Sequence, residues 1–132
     1  MTAPRYDQYL EYKTACEAAL EAAGLDQVHV TAEASEIESA ARHGVLVFPP
    51  PELNFTTYDM YEARWEVIAL AGPADNLEHA WRTLDEIIEA LFQANLNLAT
   101  ATPDSFTVKG TTALPGYSIT FNPSTVYKET TP

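Results

Sequence analysis

Apolar residues recur every three or four positions in two stretches of the chain and alternate with polar ones over much of the rest. From Tyr6 to Ala23, the positions Tyr9, Tyr12, Cys16, Ala19, Leu20 and Ala23 share one helical face, with Glu11, Glu17 and Glu21 mostly opposite. Gly24 follows directly, where a helix stop is expected. Much of that face is alanine, which lets the helix approach its partner closely. The second stretch, 75–95, carries Leu77, Trp81, Leu84, Ile87, Ile88, Leu91 and Phe92 as an apolar stripe, with Glu78, Arg82, Asp85, Glu86 and Glu89 on the other side. Asp75 stands at a capping position with Glu78 as its reciprocal partner, and the stripe reads as core.

The remaining signals are strands. Val28, Val30 and Ala32 alternate with His29 and Thr31, and Val45 to Phe48 is a short, fully apolar run. Between them, Glu33 to Arg42 reads either as coil or as one or two helical turns closed by Gly44. Thr57 to Leu70 is the longest strand expected. Tyr61, Ala63, Trp65, Val67 and Ala69 lie on one face; Glu62, Arg64 and Glu66 lie on the other, which turns apolar at Ile68 and Leu70. Gly72-Pro73 ends it. Leu96 to Thr102 alternates loosely, and Phe106 and Val108 precede a turn at Lys109-Gly110. Tyr117, Ile119 and Phe121 alternate strictly with Ser118 and Thr120, up to Pro123. The order predicts an α+β fold: a mixed, mostly antiparallel sheet of four to five strands packed by two main helices, 6–23 and 75–95. Residues 1–132 read as a single domain with a short flexible N-terminus (1–4) and a C-terminal tail (123–132).

Three prolines interrupt this pattern. Pro49, Pro50 and Pro51 follow the apolar run at once, and each fixes φ and removes an N–H, so none belongs in a sheet interior. The segment 49–60 is therefore expected to leave the sheet as a stiff loop, with Leu53, Phe55 and Tyr58 as its apolar anchors. Either it contacts another molecule or it folds back over its own sheet edge.

Composition narrows the function. The chain has 132 residues, 46% apolar, which suits one packed core. Nineteen acidic residues against seven basic ones give a net charge of −12, and the basic residues are scattered singly. A protein that grips phosphates needs a basic patch, so tight nucleic-acid binding is not expected. No apolar run reaches the roughly 20 residues of a membrane span. The opening MTAPRYDQYLEYK lacks a basic-then-apolar signal, which predicts synthesis and assembly in the cytoplasm. Cys16 is alone, so it forms no disulfide within the chain and reads as a small core residue.

The chain carries no nucleophile elbow, phosphate loop or dinucleotide fingerprint. His29, His43 and His79 are far apart in sequence and would need to meet a carboxylate in space to hold a metal. Asp85 and Glu86 lie on the outer helix face. No catalytic, cofactor or metal residue is assigned, and no enzyme activity is expected.

The span from Gly44 through Phe121 resembles the tail terminator proteins of long-tailed, non-contractile bacteriophages. The resemblance lies in a short apolar strand, a long loop, a strand in "ARWEV" ending at "AGPADN", an amphipathic helix with "LDEIIEAL", and a late strand "GYSITF". With the first helix and "AGL" included, it covers roughly residues 5–122. It rests on the order and spacing of elements. It implies a structural virion protein, a homohexameric ring at the head-proximal end of the tail tube. Such a ring stops tube polymerisation and offers a docking surface to the head-tail connector (stopper) protein, while DNA passes through its lumen without specific binding. The family brings no catalytic residues. Under this reading the candidate interface residues are Pro49, Pro50, Pro51, Leu53, Phe55 and Tyr58 of the loop, with Val126 and Tyr127 of the tail. Six copies would carry about −72 formal charges, which would repel passing DNA if they line the channel, or steer a basic partner if they lie on an axial surface. Two other classes compete: an acidic dimeric secretion-type chaperone or other assembly protein, and a small hydrolase built on His29 or His43 with a nearby acid.

Overall fold

The computed structural model describes residues 3–32, 43–72, 77–106 and 113–128. Within them the chain is α+β, as its pattern predicts, with two helices and eight strands in two sheets. Helix α1 spans Pro4–Ala22, starting on a proline that has no need of the N–H it lacks. Gly24 closes it at φ +77°, donating to the Glu21 carbonyl at 3.0 Å, while Leu25 donates back to Leu20 at 2.8 Å. Helix α2 spans Leu77–Gln93 and ends on Asn95, the one non-glycine residue with positive φ (59°) among those described. The expected turns in 33–42, the Asp75 cap and the Lys109-Gly110 turn lie outside the described residues.

The strands are β1 (His29–Thr31), β2 (Val45–Val47), β3 (Glu52–Thr57), β4 (Met60–Arg64), β5 (Glu66–Leu70), β6 (Leu98–Phe106), β7 (Leu114–Phe121) and β8 (Ser124–Tyr127). The larger sheet runs β1-β2-β5-β7-β6, and only the β1–β2 pair is parallel. The smaller sheet is β3-β4-β8, antiparallel throughout.

Three expectations are corrected here. The long strand 57–70 is two strands, broken at Trp65 and divided between the sheets. Ala63 pairs with Ser124 and Glu66 with Thr120, so one strand spends two residues where its partner spends three, and the ladder slips. Pro123 sits in the longer side and can donate nothing. The segment 49–60 is not one loop. The prolines lie between strands, as expected, but Glu52–Thr57 pairs with β4 as a hairpin turning at Tyr58-Asp59. The tail is not free from its start, because Ser124–Tyr127 pairs with β4, setting Val126 opposite Tyr61.

Both helices pack on one face of the larger sheet. Cys16, Leu20, Leu46, Val67, Ile87, Leu91 and Ile119 form the centre of that core. At the break between the sheets an aromatic group fills the space. Tyr12 lies 4.7 Å from Phe121 and 5.3 Å from Trp65, ring to ring, and Tyr9 lies 5.6 Å from Phe48. Trp65 donates its indole N–H to Gln8 Oε1 of α1 at 3.3 Å, so a polar atom drawn into the core keeps a partner. A second, smaller cluster of Val45, Leu70 and Leu114 lies on the opposite face of the sheet.

The apolar stripe of α2 is only partly core, which corrects a fourth expectation. Leu84, Ile87 and Leu91 are buried, whereas Leu77, Trp81 and Phe92 are exposed. A stripe wider than the face a sheet can cover leaves one flank in water.

Candidate interaction surface

The β3–β4 hairpin and β8 carry most of the predicted interface residues. Along β3 only Leu53 turns inward, opposite buried Ala63, and it packs against the core. Pro50 and Pro51 line a cleft of about 570 Å³ with Arg64, Glu66, Thr100 and Thr120. They lie over the chain's own sheets. Phe55 is exposed, and Tyr58 at the turn is 88% exposed. Tyr127 is exposed and Val126 half-buried. The predicted set therefore divides. Leu53 packs on its own fold, Pro49, Pro51 and Val126 are half-buried, and Pro50, Phe55, Tyr58 and Tyr127 are exposed.

The hairpin is held rather than loose. Arg5 of α1 donates to the Tyr61 hydroxyl at 3.3 Å and lies over its ring at 5.9 Å. Phe55 rests on the other end of that contact, its ring 5.4 Å from Tyr61. At the turn, Lys128 donates its backbone N–H to the Asp59 carbonyl at 2.6 Å, and its ammonium sits 5.9 Å from the Tyr58 ring. Thr57 Oγ1 bonds the Asp59 carboxylate across the turn. An aromatic tip fixed at both ends binds with little loss of freedom.

Charge separates the hairpin from the helices. Around the small sheet Arg64 and Lys128, with Arg5 of α1 beside them, stand against Glu52, Asp59 and Glu62, so charge there is balanced, and Arg64 pairs with Glu62 at 3.0 Å. The helices carry eight acidic side chains, all exposed, against three basic ones. Exposed pairs and charges of this kind add little stability, so their distribution bears on what approaches each face.

Two of the three histidines share a cavity. His43 and His79 line one cavity of about 530 Å³ with Asp26, Thr83 and Glu86, and His29 on β1 donates its backbone N–H to the carbonyl of Gly44 beside it at 3.2 Å. Among the described residues no group of three His, Cys, Asp or Glu side chains stands close enough to hold a metal ion. Cys16 is fully buried, and burial pushes its thiol up to about 12, the opposite of an activated nucleophile.

A surface that pattern reading missed lies on the other side of the molecule. Leu77, Trp81 and Phe92 of α2 are exposed, and strand β6 is exposed along most of its length. The signal was present as a run without charge from Ala90 to Pro103 in a strongly acidic chain.

Comparison with known proteins identifies nothing: no protein-family model, no curated sequence and no solved structure matches this chain. Among the described residues no helix is long and apolar enough to cross a membrane.

Proposed function

We propose that this chain is a structural assembly protein that forms a homohexameric ring and caps the head-proximal end of a phage tail tube. In this role the ring ends tube growth, presents a surface to the connector protein and lets DNA pass through its lumen. The observation that carries the reading is the presence of two separate exposed apolar surfaces on one small acidic chain, the hairpin with Phe55 and Tyr58 and the α2 flank with Trp81 and Phe92. Large contiguous exposed apolar patches mark interaction sites. A ring subunit needs one set of contacts to its neighbours and another along the axis, and the two surfaces answer to that need. The acidic helix layer adds a wall that would repel DNA if it lines the lumen.

The exposed α2 flank also suits a dimeric chaperone that holds an apolar client segment. Native mass spectrometry across a wide concentration range, with and without divalent cations, separates the two. The ring reading predicts a six-fold species. A discrete dimer with nothing larger would overturn it in favour of the chaperone.

A further inference from the structure

Strand β6 is the outermost strand of the larger sheet, and its far edge pairs with nothing among the described residues. It is nine residues long and exposed along most of that length. An edge of this kind presents backbone N–H and C=O groups to any extended chain that meets it. The sequence adds to the hazard. Residues 98–102 read LATAT, with no charge and no proline, and no charged residue occurs from Ala90 to Pro103.

The register decides which backbone groups point outward. In an antiparallel ladder, residues face the partner strand and face away from it by turns. Phe121 donates to the Trp65 carbonyl and Ala71 donates to the Pro115 carbonyl, so the odd-numbered residues of β7 turn toward β5. Its even-numbered residues therefore turn toward β6, where they pair with Thr100, Thr102, Asp104 and Phe106. That leaves Ala101, Pro103 and Ser105 with their backbone groups on the far edge.

Two of these three offer no donor there. Pro103 has no N–H, and opposite Tyr117 it sits where β7 needs none, so the gap falls on the outer edge alone. The Ser105 N–H is taken by Asp104 Oδ1 at 2.8 Å. The start of the strand is irregular as well. Leu98 pairs with Phe121 and Thr100 with Thr120, so Ala99 is an extra residue and the register slips at it. In the regular part of β6, Ala101 alone keeps an N–H aimed off the sheet.

We infer that β6 is a guarded edge: the Ala99 bulge, Pro103 and the Asp104–Ser105 contact keep the larger sheet from adding a strand of another chain. An incoming strand needs donors at alternate residues of the edge it joins. Here it meets a bulge, one donor, and then two positions without one, so its own carbonyl groups go unpaired. The edge at the other end of the sheet, β1, has only three residues and offers little to pair with. The larger sheet is thus closed by shortness on one side and by these residues on the other. This stands apart from the ring reading. Whatever lies beside β6 meets its side chains and not a continued ladder.

The test removes the guard group by group. Pro103→Ala restores the missing N–H, and Asp104→Ala releases the Ser105 N–H; both sites are exposed, so neither change touches the core. Asp104→Asn is the control, because it removes the same charge but keeps an oxygen to accept from Ser105. In sedimentation velocity, P103A/D104A should form assemblies larger than any that the wild type forms at about ten times its concentration. Hydrogen exchange should show the amides at positions 101, 103 and 105 protected in those assemblies. Asp104→Asn should sediment as the wild type does. A folded double variant that also sediments as the wild type would overturn the proposal. Assembly equally strong in Asp104→Asn would overturn it too, by assigning the protection to charge alone. Should the double variant fail to fold, Asp104→Ala alone decides by the same two readings.

Discussion

The backbone N–H of Phe121 donates to the carbonyl oxygen of Trp65 at 2.9 Å. The bond lies where the larger sheet ends and the smaller begins, and it holds together two strands whose register slips at that point. Trp65 is 3% exposed and its ring meets Tyr12, so the side chain and the backbone of one residue fasten α1 and both sheets. The hairpin is thereby aimed by the core, not by its own turn.

Trp65→Ala should cost about 3–5 kcal/mol, the range for deleting a buried aromatic side chain. Gln8→Ala removes only the acceptor of the indole N–H and should cost about 1–3 kcal/mol. Urea unfolding of both variants checks the ordering. Equal costs would mean that the hydrogen bond, not the packing, holds the junction.

The exposed and inward halves of the 49–60 segment should separate under substitution. Phe55→Ser and Tyr58→Ser should shift stability by less than about 0.5 kcal/mol, as surface changes do. Leu53→Ala removes a half-buried group that packs on the core and should cost about 1–2 kcal/mol. In oligomer or tube-capping assays the order should invert, with the two aromatic variants the more impaired.

Gly116→Ala should destabilise the larger sheet. A Cβ there would run into the Ala69 carbonyl oxygen of the neighbouring strand and come within 2.7 Å of Leu70 Cδ2. Overpacking of this kind costs roughly 1–3 kcal/mol. Ser124→Ala should act the other way, because the Ser124 hydroxyl is buried without a partner among the described residues. Removing an unsatisfied group should gain up to about 1 kcal/mol. Thermal melts of the two variants should therefore move in opposite directions.

Stability should fall in alkali. Burial raises the Cys16 thiol from 9.0 to about 12, and burial followed by the Glu11 charge raises the Tyr12 phenol from 10.0. Both raised values favour the neutral group in the folded state. The stability they contribute is complete below pH 9 and is lost as pH climbs toward 12. Cys16→Ala should flatten this decline in urea midpoints measured from pH 8 to 11, and a disulfide-exchange reagent should label Cys16 only on unfolding.

Much of this was legible in the residues. The helices, the core face of Trp65, Val67 and Ala69, and the strand at Tyr117–Phe121 announce themselves because one side of each is more deeply buried than the other. Strand β3 escaped notice because Asn54, Phe55 and Thr56 are all in water, so no alternation marks them. Strand β8 pairs through its backbone with β4, and no side-chain pattern in a four-residue edge reports that. The break at Trp65 depends on the slip against a partner some 55 residues away, which local pattern cannot encode. The α2 stripe was visible, but whether Trp81 and Phe92 are covered depends on where the sheet ends.

Electron microscopy of the purified chain at high concentration tests the proposed role most directly. Class averages should show a ring with an open centre and six-fold symmetry. Compact two-fold particles without a central opening would contradict it.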